Sequence, residues 1–282
     1  MLSSKWLRGY DIPVCIGIGI VHIMALVAPW YFTWSGFGLF LFLFWVTGGL
    51  GITLCFHRLL THRSFKTPKW FEYFLSLCGT LAFQGGLLTW VGTHRLHHAH
   101  SDQEGDPHSP VTHDFSWAHV TWLLKKHNHD FLSVTKDLQE DPVLVVIDRF
   151  FWVPQVVVTV ALFTIGFLVG GLNLGISWVL WGIGMRTVFG YHAAWFVNSA
   201  AHTWGYRNYK TKDDSRNNWW VAIISFGEGW HNNHHGDQVC AAHGNRHWWE
   251  IDPTYITIQF LALVGLATNV KKPKPIPPAK AM

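Results

Sequence analysis

The sequence predicts an all-α membrane protein, with four transmembrane helices and a helical cap on one face that carries two histidine-held metals. Two observations lead there. Of 282 residues, 49% are apolar and only 13% charged, against about 25% charged in soluble domains. Three histidine clusters, His57-Arg-Leu-Leu-Thr-His62, His94-Arg-Leu-His-His98 and His231-Asn-Asn-His-His235, lie beside long apolar runs, and His202 follows Asn198 as a ninth candidate imidazole. Imidazole is a common ligand for iron, zinc, copper and nickel, and this many exceed what a single metal holds.

Four runs, 12–32, 37–56, 150–172 and 174–197, match the ~20 apolar residues a helix needs to cross a hydrocarbon core. The short, uncharged connections at 33–35 and 170–173 make two hairpins of them. The stretch 70–91 is also long and apolar, with Pro68 ahead as a helix start. A crossing there would part the first two clusters by ~30 Å of hydrocarbon. It therefore reads as a buried or interfacial helix, broken at Gln84-Gly85-Gly86, and 255–267 is short enough to be interfacial too. Segments 57–149 and 198–270 then form the cap and 271–282 a flexible tail, in one membrane-embedded domain. Every Lys and Arg except Arg186 falls on the cap face or its boundary, which makes that face, with both termini, cytoplasmic.

Composition excludes other classes. A formal charge of +4 is no nucleic-acid signature, and eighteen Trp suit membrane interfaces. Cys15, Cys55, Cys78 and Cys240 form no Cys-x-x-Cys pair and read as free thiols. No cleavable signal peptide is evident, because the first apolar run ends in Pro-Trp-Tyr-Phe and another follows.

His94, His97 and His98, like His231, His234 and His235, are spaced i, i+3, i+4 and share one helical face. His57 and His62 are i, i+5, wider than one α-turn, which predicts a helix end or a distorted turn. His202 sits where the fourth run leaves the membrane. His100, His108, His113, His119, His127, His129, His243 and His247 read as solvated or as neighbours of the ligands, and His22 and His192, inside the spans, as packed and hydrogen-bonded. The nearest carboxylates, Asp106 and Glu228, either orient imidazoles or cap and solvate. An all-imidazole site does not by itself exclude zinc, although zinc has no redox chemistry.

At these residues the chain resembles the membrane fatty-acid desaturases, in their Δ9 branch and nearest the cyanobacterial and plastid acyl-lipid enzymes. The landmarks are Gly51-Ile-Thr, the three histidine boxes, Trp90, Gly105-Asp-Pro-His108, Asn198-Ser-Ala-Ala-His202 and Gly227-Glu-Gly-Trp. The resemblance implies a di-iron centre. One iron would take His57, His62, His98 and His235, with Asn198 approaching through a water; the other would take His94, His97, His202, His231 and His234. It implies oxygen-dependent removal of two hydrogens from carbons 9 and 10 of a saturated acyl chain of about 16 to 18 carbons. Gln84 and Trp90 match positions at the bend of an acyl tunnel, Ala194 the bend-region threonine, and Trp45 and Gly49 the closed end. Where acyl-CoA members carry an Arg-Asp pair, this chain has Gly92 and Thr93, favouring a glycerolipid-bound chain, while Lys125 and Lys126 match a basic pair of the CoA users. No His-Pro-Gly-Gly haem signature is visible, so a separate donor, ferredoxin by the resemblance, supplies electrons. Two rivals remain: a histidine-box hydroxylase, and a metal transporter, which the polar-poor spans support poorly.

Overall fold

The computed structural model describes residues 9–126 and 130–273; His127, His129 and the tail beyond residue 273 lie outside the described residues. Helix α1 (Ile12–Val27) starts where the Asp11 carboxylate accepts Val14 N–H (3.3 Å), and it runs into a 3-10 turn at Ala28–Tyr31. Helix α2 (Trp34–Phe44) is capped by Thr33, whose Oγ1 accepts Gly36 N–H at 3.0 Å. It continues without a break as a π-helix, Trp45–Thr61.

The π-helix places the first histidine box. Its i→i+5 repeat sets His57 and His62 one turn apart on the same face, with His62 N–H donating to His57 C=O at 3.1 Å. The distorted turn expected from that spacing is thus a whole segment of wider pitch. Helix α3 (Lys69–Thr80) crosses it at Gly51: a Cβ on Gly51 would strike the main chain of Cys78 and Gly79, and one on Gly79 the Phe56 ring. The chain breaks at Leu81–Gly86, where Gly85 has φ +96, and restarts as α4 (Leu87–His100) carrying the second box.

Short helices α5 (Phe115–His119), α6 (Lys136–Gln139) and α7 (Pro142–Arg149) complete the first half of the cap. Helix α8 (Val153–Val179) is bent back at Gly170 and Gly171, where φ +76 at Gly171 suits only glycine. Gly166 meets the backbone of Gly175 across that bend. A π-turn (Leu180–Met185), α9 (Arg186–Ser199) and a 3-10 turn ending at His202 follow. Last come α10 (Trp219–Ile224), α11 (His231–Gly236) with the third box, and α12 (Pro253–Leu263).

Three helical stretches, Ile12–Tyr31, Trp34–Thr61 and Val153–His202, are long and apolar enough to cross a membrane. The third is a folded hairpin, so four apolar limbs stand together, with Ile20, Ile23, Val160 and Leu168 among their outward aliphatics. Inside, the Arg186 guanidinium donates to Gln155 Oε1 (3.0 Å), Gly182 C=O and Leu81 C=O, so the isolated cation of the spans is satisfied by oxygen dipoles. The cap has its own core, where Leu60, Leu75, Leu87, Leu138, Leu144 and Ile258 are almost wholly buried; each contributes about 1.5–3 kcal/mol. No strand occurs among the described residues, and all four cysteines are free.

Candidate metal centre

The π-helix end, α4, the 3-10 turn after α9 and α11 bring all nine histidines into two groups. Nitrogens of His57, His62, His94, His98 and His234 lie within 4.8 Å of one another, and so do those of His97, His202, His231 and His235. Helical spacing explains the split: α4 gives its i, i+4 pair to the first group and His97 to the second, while α11 gives His231 and His235 to the second and His234 to the first. This grouping differs from the one the resemblance implied. His94 and His234 fall with His57, His62 and His98, and His235 falls with His97 and His202.

Four imidazoles are oriented by carboxylates at Nδ1. His57 meets Glu228 at 2.6 Å, His97 meets Asp106 at 3.0 Å, His202 meets Asp102 at 2.7 Å and His235 meets Asp213 at 2.7 Å. A carboxylate fixes the proton on Nδ1 and leaves the Nε2 lone pair free. Those Nε2 atoms point inward: His57 to His234 (3.2 Å), and His202 to His231 (3.0 Å). His98 Nε2 lies 2.9 Å from both His94 and His234 Nε2. Nε2 of His62, His97 and His235 is buried without any hydrogen-bond partner. Converging nitrogens, with at least one buried and unpartnered in each group, fit a cation in each.

Protonation agrees with that fit. Burial, then the neighbouring imidazoles, hold His94, His98, His231 and His234 well below the ordinary histidine value, and burial brings His235 to about 4 against the pull of Asp213. These rings are neutral and able to ligate. Burial also opposes charge on His97, but Asp106 overrides it and raises the pKa. Glu228 remains a carboxylate despite burial because His57, His243 and Arg58 surround it.

Several residues of the site were not singled out in the sequence. Asp102, at φ +57 just past α4, and Asp213, in a polar loop, had no signal of their own. Arg58 did: a charge inside an apolar box requires an acid partner. It is fully buried and bonds Glu228 (3.1 Å) and Asp252 (2.9 Å). His108 and His243 take the second of the two places the sequence left open, as buried neighbours of the ligands, His108 lying against His97 at 4.5 Å between centroids. His243 stacks on His234 (4.3 Å between centroids) and reaches Glu228 at 3.2 Å. His119 is half-buried between His192 and Ser199, at 3.0 Å from each, and His22 bonds the far side of His192.

A cavity of about 620 Å³ runs beside both groups, with His57, His94 and His231 in its wall. Gln84, Trp90, Ala194 and Asn198 line it, and Trp90 Nε1–H donates to Gln84 at 3.0 Å. Trp45 and Gly49 do not line it. Phe44 at the end of α2 and Thr47, Gly48, Ile52, Thr53 and His57 of the π-helix line it instead, and Trp45 turns outward with its ring over Gly49. Pro13, Val14 and Gly17 of α1 also line it, as does Lys125, whose ammonium lies over the Tyr10 ring (3.4 Å). Thr93 is in the wall, and a side chain at Gly92 would strike the Phe131 main chain.

The profile of the fatty acid desaturase family matches residues 28–259. The chain is 52% identical to an sn-1 stearoyl-lipid 9-desaturase of Anabaena variabilis, over 89% of this chain and 90% of the relative. It is 46% identical to the sn-1 stearoyl-lipid 9-desaturase of Synechocystis sp., over 93% and 79% respectively. To an sn-2 palmitoyl-lipid 9-desaturase of Nostoc sp. it is 43% identical, over 97% and 93%. The protein belongs to the fatty acid desaturase family.

Proposed function

We propose that this chain is an oxygen-dependent Δ9 desaturase of saturated acyl chains esterified to glycerolipids, working with two irons on the nine histidines. The observation that carries the reading is an acyl-sized cavity whose wall includes His57, His94 and His231; pockets for drug-sized ligands span ~300–1,000 Å³. The printed activities of the relatives support it. The balance is one saturated chain, one O₂, two electrons and two protons giving one alkene and two waters. Bound iron supplies the redox chemistry that no side chain has. The protein contributes the rest. Trp90 and Gln84 hold a polar contact at the cavity wall, the apolar lining aligns the methylenes, and Asn198, also in the lining, would hold a water there. Gly92 leaves no place for a CoA-binding arginine, which favours a chain already esterified to a glycerolipid. Lys125 in the cavity lining favours the second reading, an acyl-CoA substrate.

We place four crossings, both termini and the cap on the cytoplasmic side, from the distribution of Lys and Arg, with a ferredoxin as electron donor. The test is expression in a desaturase-deficient host with double bonds mapped by lipid class. A Δ9 double bond in glycerolipids made with acyl transfer blocked is the expected result. Products in acyl-CoA alone establish the second reading, and a hydroxylated chain overturns the desaturase reading.

A further inference from the structure

Between the exit of α9 and the start of α10, residues 205–218 form a loop with little regular structure that is nonetheless held at many points. Tyr206 and Asn217 exchange backbone hydrogen bonds (3.1 and 2.7 Å). Asn232, inside the third box, accepts the N–H groups of Asn208 (2.8 Å) and Tyr209 (2.7 Å). Arg207 reaches back to Thr211 Oγ1 (2.6 Å) and Asp213 C=O (2.7 Å). Asp213 turns its carboxylate inward to His235, and the next backbone N–H, Asp214, donates to the Asp102 carboxylate that orients His202. Two ligands of the second group are thus each a single carboxylate away from this loop.

Its outer face is basic. Arg207, Lys210 and Lys212 are exposed, and Arg216 and Arg246 half-buried, the last over the Tyr209 ring at 4.5 Å. Asp213 faces inward, so the loop's outward acid is Asp214, 3.7 Å from Arg207. Elsewhere on the cap, Arg63 and Arg95 share Asp137, and Lys69 sits between Glu72 and Asp141.

We infer that this loop is the docking surface for an acidic one-electron carrier protein, and that electrons enter the second histidine group through Asp213 and His235. The inference rests on the desaturase reading, which requires two electrons per double bond and therefore oxidises two reduced one-electron carriers. A rigid basic surface steers an acidic partner, and this one lies one hydrogen bond from a ligand. Trp204 and Trp219, exposed at the base of the loop, would also suit a membrane interface, so anionic lipid is the competing occupant.

The test uses the full chain in neutral-lipid nanodiscs, with an acidic plant-type [2Fe–2S] ferredoxin as probe. The variant is Lys210→Glu/Lys212→Glu, and Lys136→Glu on α6 is the control for a charge reversal away from the loop. Binding is measured on metal-free and iron-loaded protein at low and near-physiological salt. Turnover is measured with ferredoxin and with a small chemical reductant. The expected result is a loss of about tenfold or more in ferredoxin affinity. The KM for ferredoxin should rise in parallel, turnover with the chemical reductant should be unchanged, and the control should stay within about twofold. Unchanged affinity and KM in the double variant overturn the proposal while the desaturase reading stands. So does a variant that loses only its association with anionic vesicles. Ferredoxin binding that depends on the two lysines, in a protein that desaturates nothing with either reductant, sinks the desaturase reading and leaves the docking surface in place.

Discussion

The two histidine groups are built from the same helices but held in different ways. In the second group His97, His202 and His235 each carry an aspartate on Nδ1. In the first group only His57 has a carboxylate, Glu228, and that carboxylate is shared with Arg58 and His243. The first group instead takes its geometry from backbone: the π-pitch sets His57 against His62, and the i, i+4 step of α4 sets His94 against His98. One site is oriented by polar partners close to solvent-facing loops, the other by helices that also form the cavity wall. Damage to the second should therefore act on metal affinity, and damage to the first on metal, fold and substrate together.

The largest effects test whether both groups are required. His98→Ala in the first and His202→Ala in the second should each lower turnover more than about 100-fold, since loss of an outer partner alone typically costs 10–100-fold. Metal analysis should show depletion in both, with the proteins still inserted in membranes. Full activity of either variant would remove that group from the reaction.

Carboxylate removal separates the two modes of support. Asp102→Asn and Asp213→Asn should weaken metal binding by about 10–100-fold, with little change in the melting temperature of metal-free protein. Glu228→Gln should weaken metal binding and also destabilise the metal-free protein by roughly 3 kcal/mol, because it leaves the buried Arg58 short of a partner. Equal melting temperatures for Glu228→Gln and Asp102→Asn would erase the distinction.

The cavity wall sharpens it further. Gly48 lines the cavity, and a Cβ there would come within 3.0 Å of the Phe226 ring. Gly48→Val should shift preference toward shorter acyl chains by about 1–3 kcal/mol per excluded methylene. Gly49→Val, one residue off the lining, should leave the chain-length profile in place. The readout is product distribution from mixed-length lipids; the reverse pattern would put the closed end at Gly49.

What was legible in the sequence follows the length scale of each feature. Apolar runs and the i, i+3, i+4 triplets announced the limbs and the α4 and α11 faces, because those are local periodicities. The i, i+5 spacing announced a distortion but not seventeen residues of π-helix, nor the close approach of α3 at Gly51. Asp106 and Glu228 were visible because they sit close to boxes. Asp102 and Asp213 reach their histidines across 100 and 22 residues, and only the tertiary fold brings them there. Trp45 and Gly49 were expected at the tunnel end on family positions, and the pitch of the helix turns that wall to Phe44 and Gly48.

The smallest expected effect concerns the outer support of the first group. Arg95 on α4 donates to Leu60 C=O (2.9 Å), between His57 and His62, and is held in turn by Asp137 at 2.6 Å. Asp137 also pairs with Arg63. Partial burial works against its charge, but the bonds from Arg95 and Arg63 prevail and bring its pKa down to about 2. A carboxylate depressed in the folded state stabilises the fold above its unfolded pKa, and the contribution fades as pH falls from about 4 toward about 2. Because Asp137 is 45% exposed, solvent screening keeps the contribution below about 1 kcal/mol. Asp137→Asn should therefore melt almost like the parent at neutral pH, and the small gap between them should close below about pH 3. A gap that widens on acidification would mean that Asp137 is not the ionised partner of Arg95, and that the first group is braced from elsewhere.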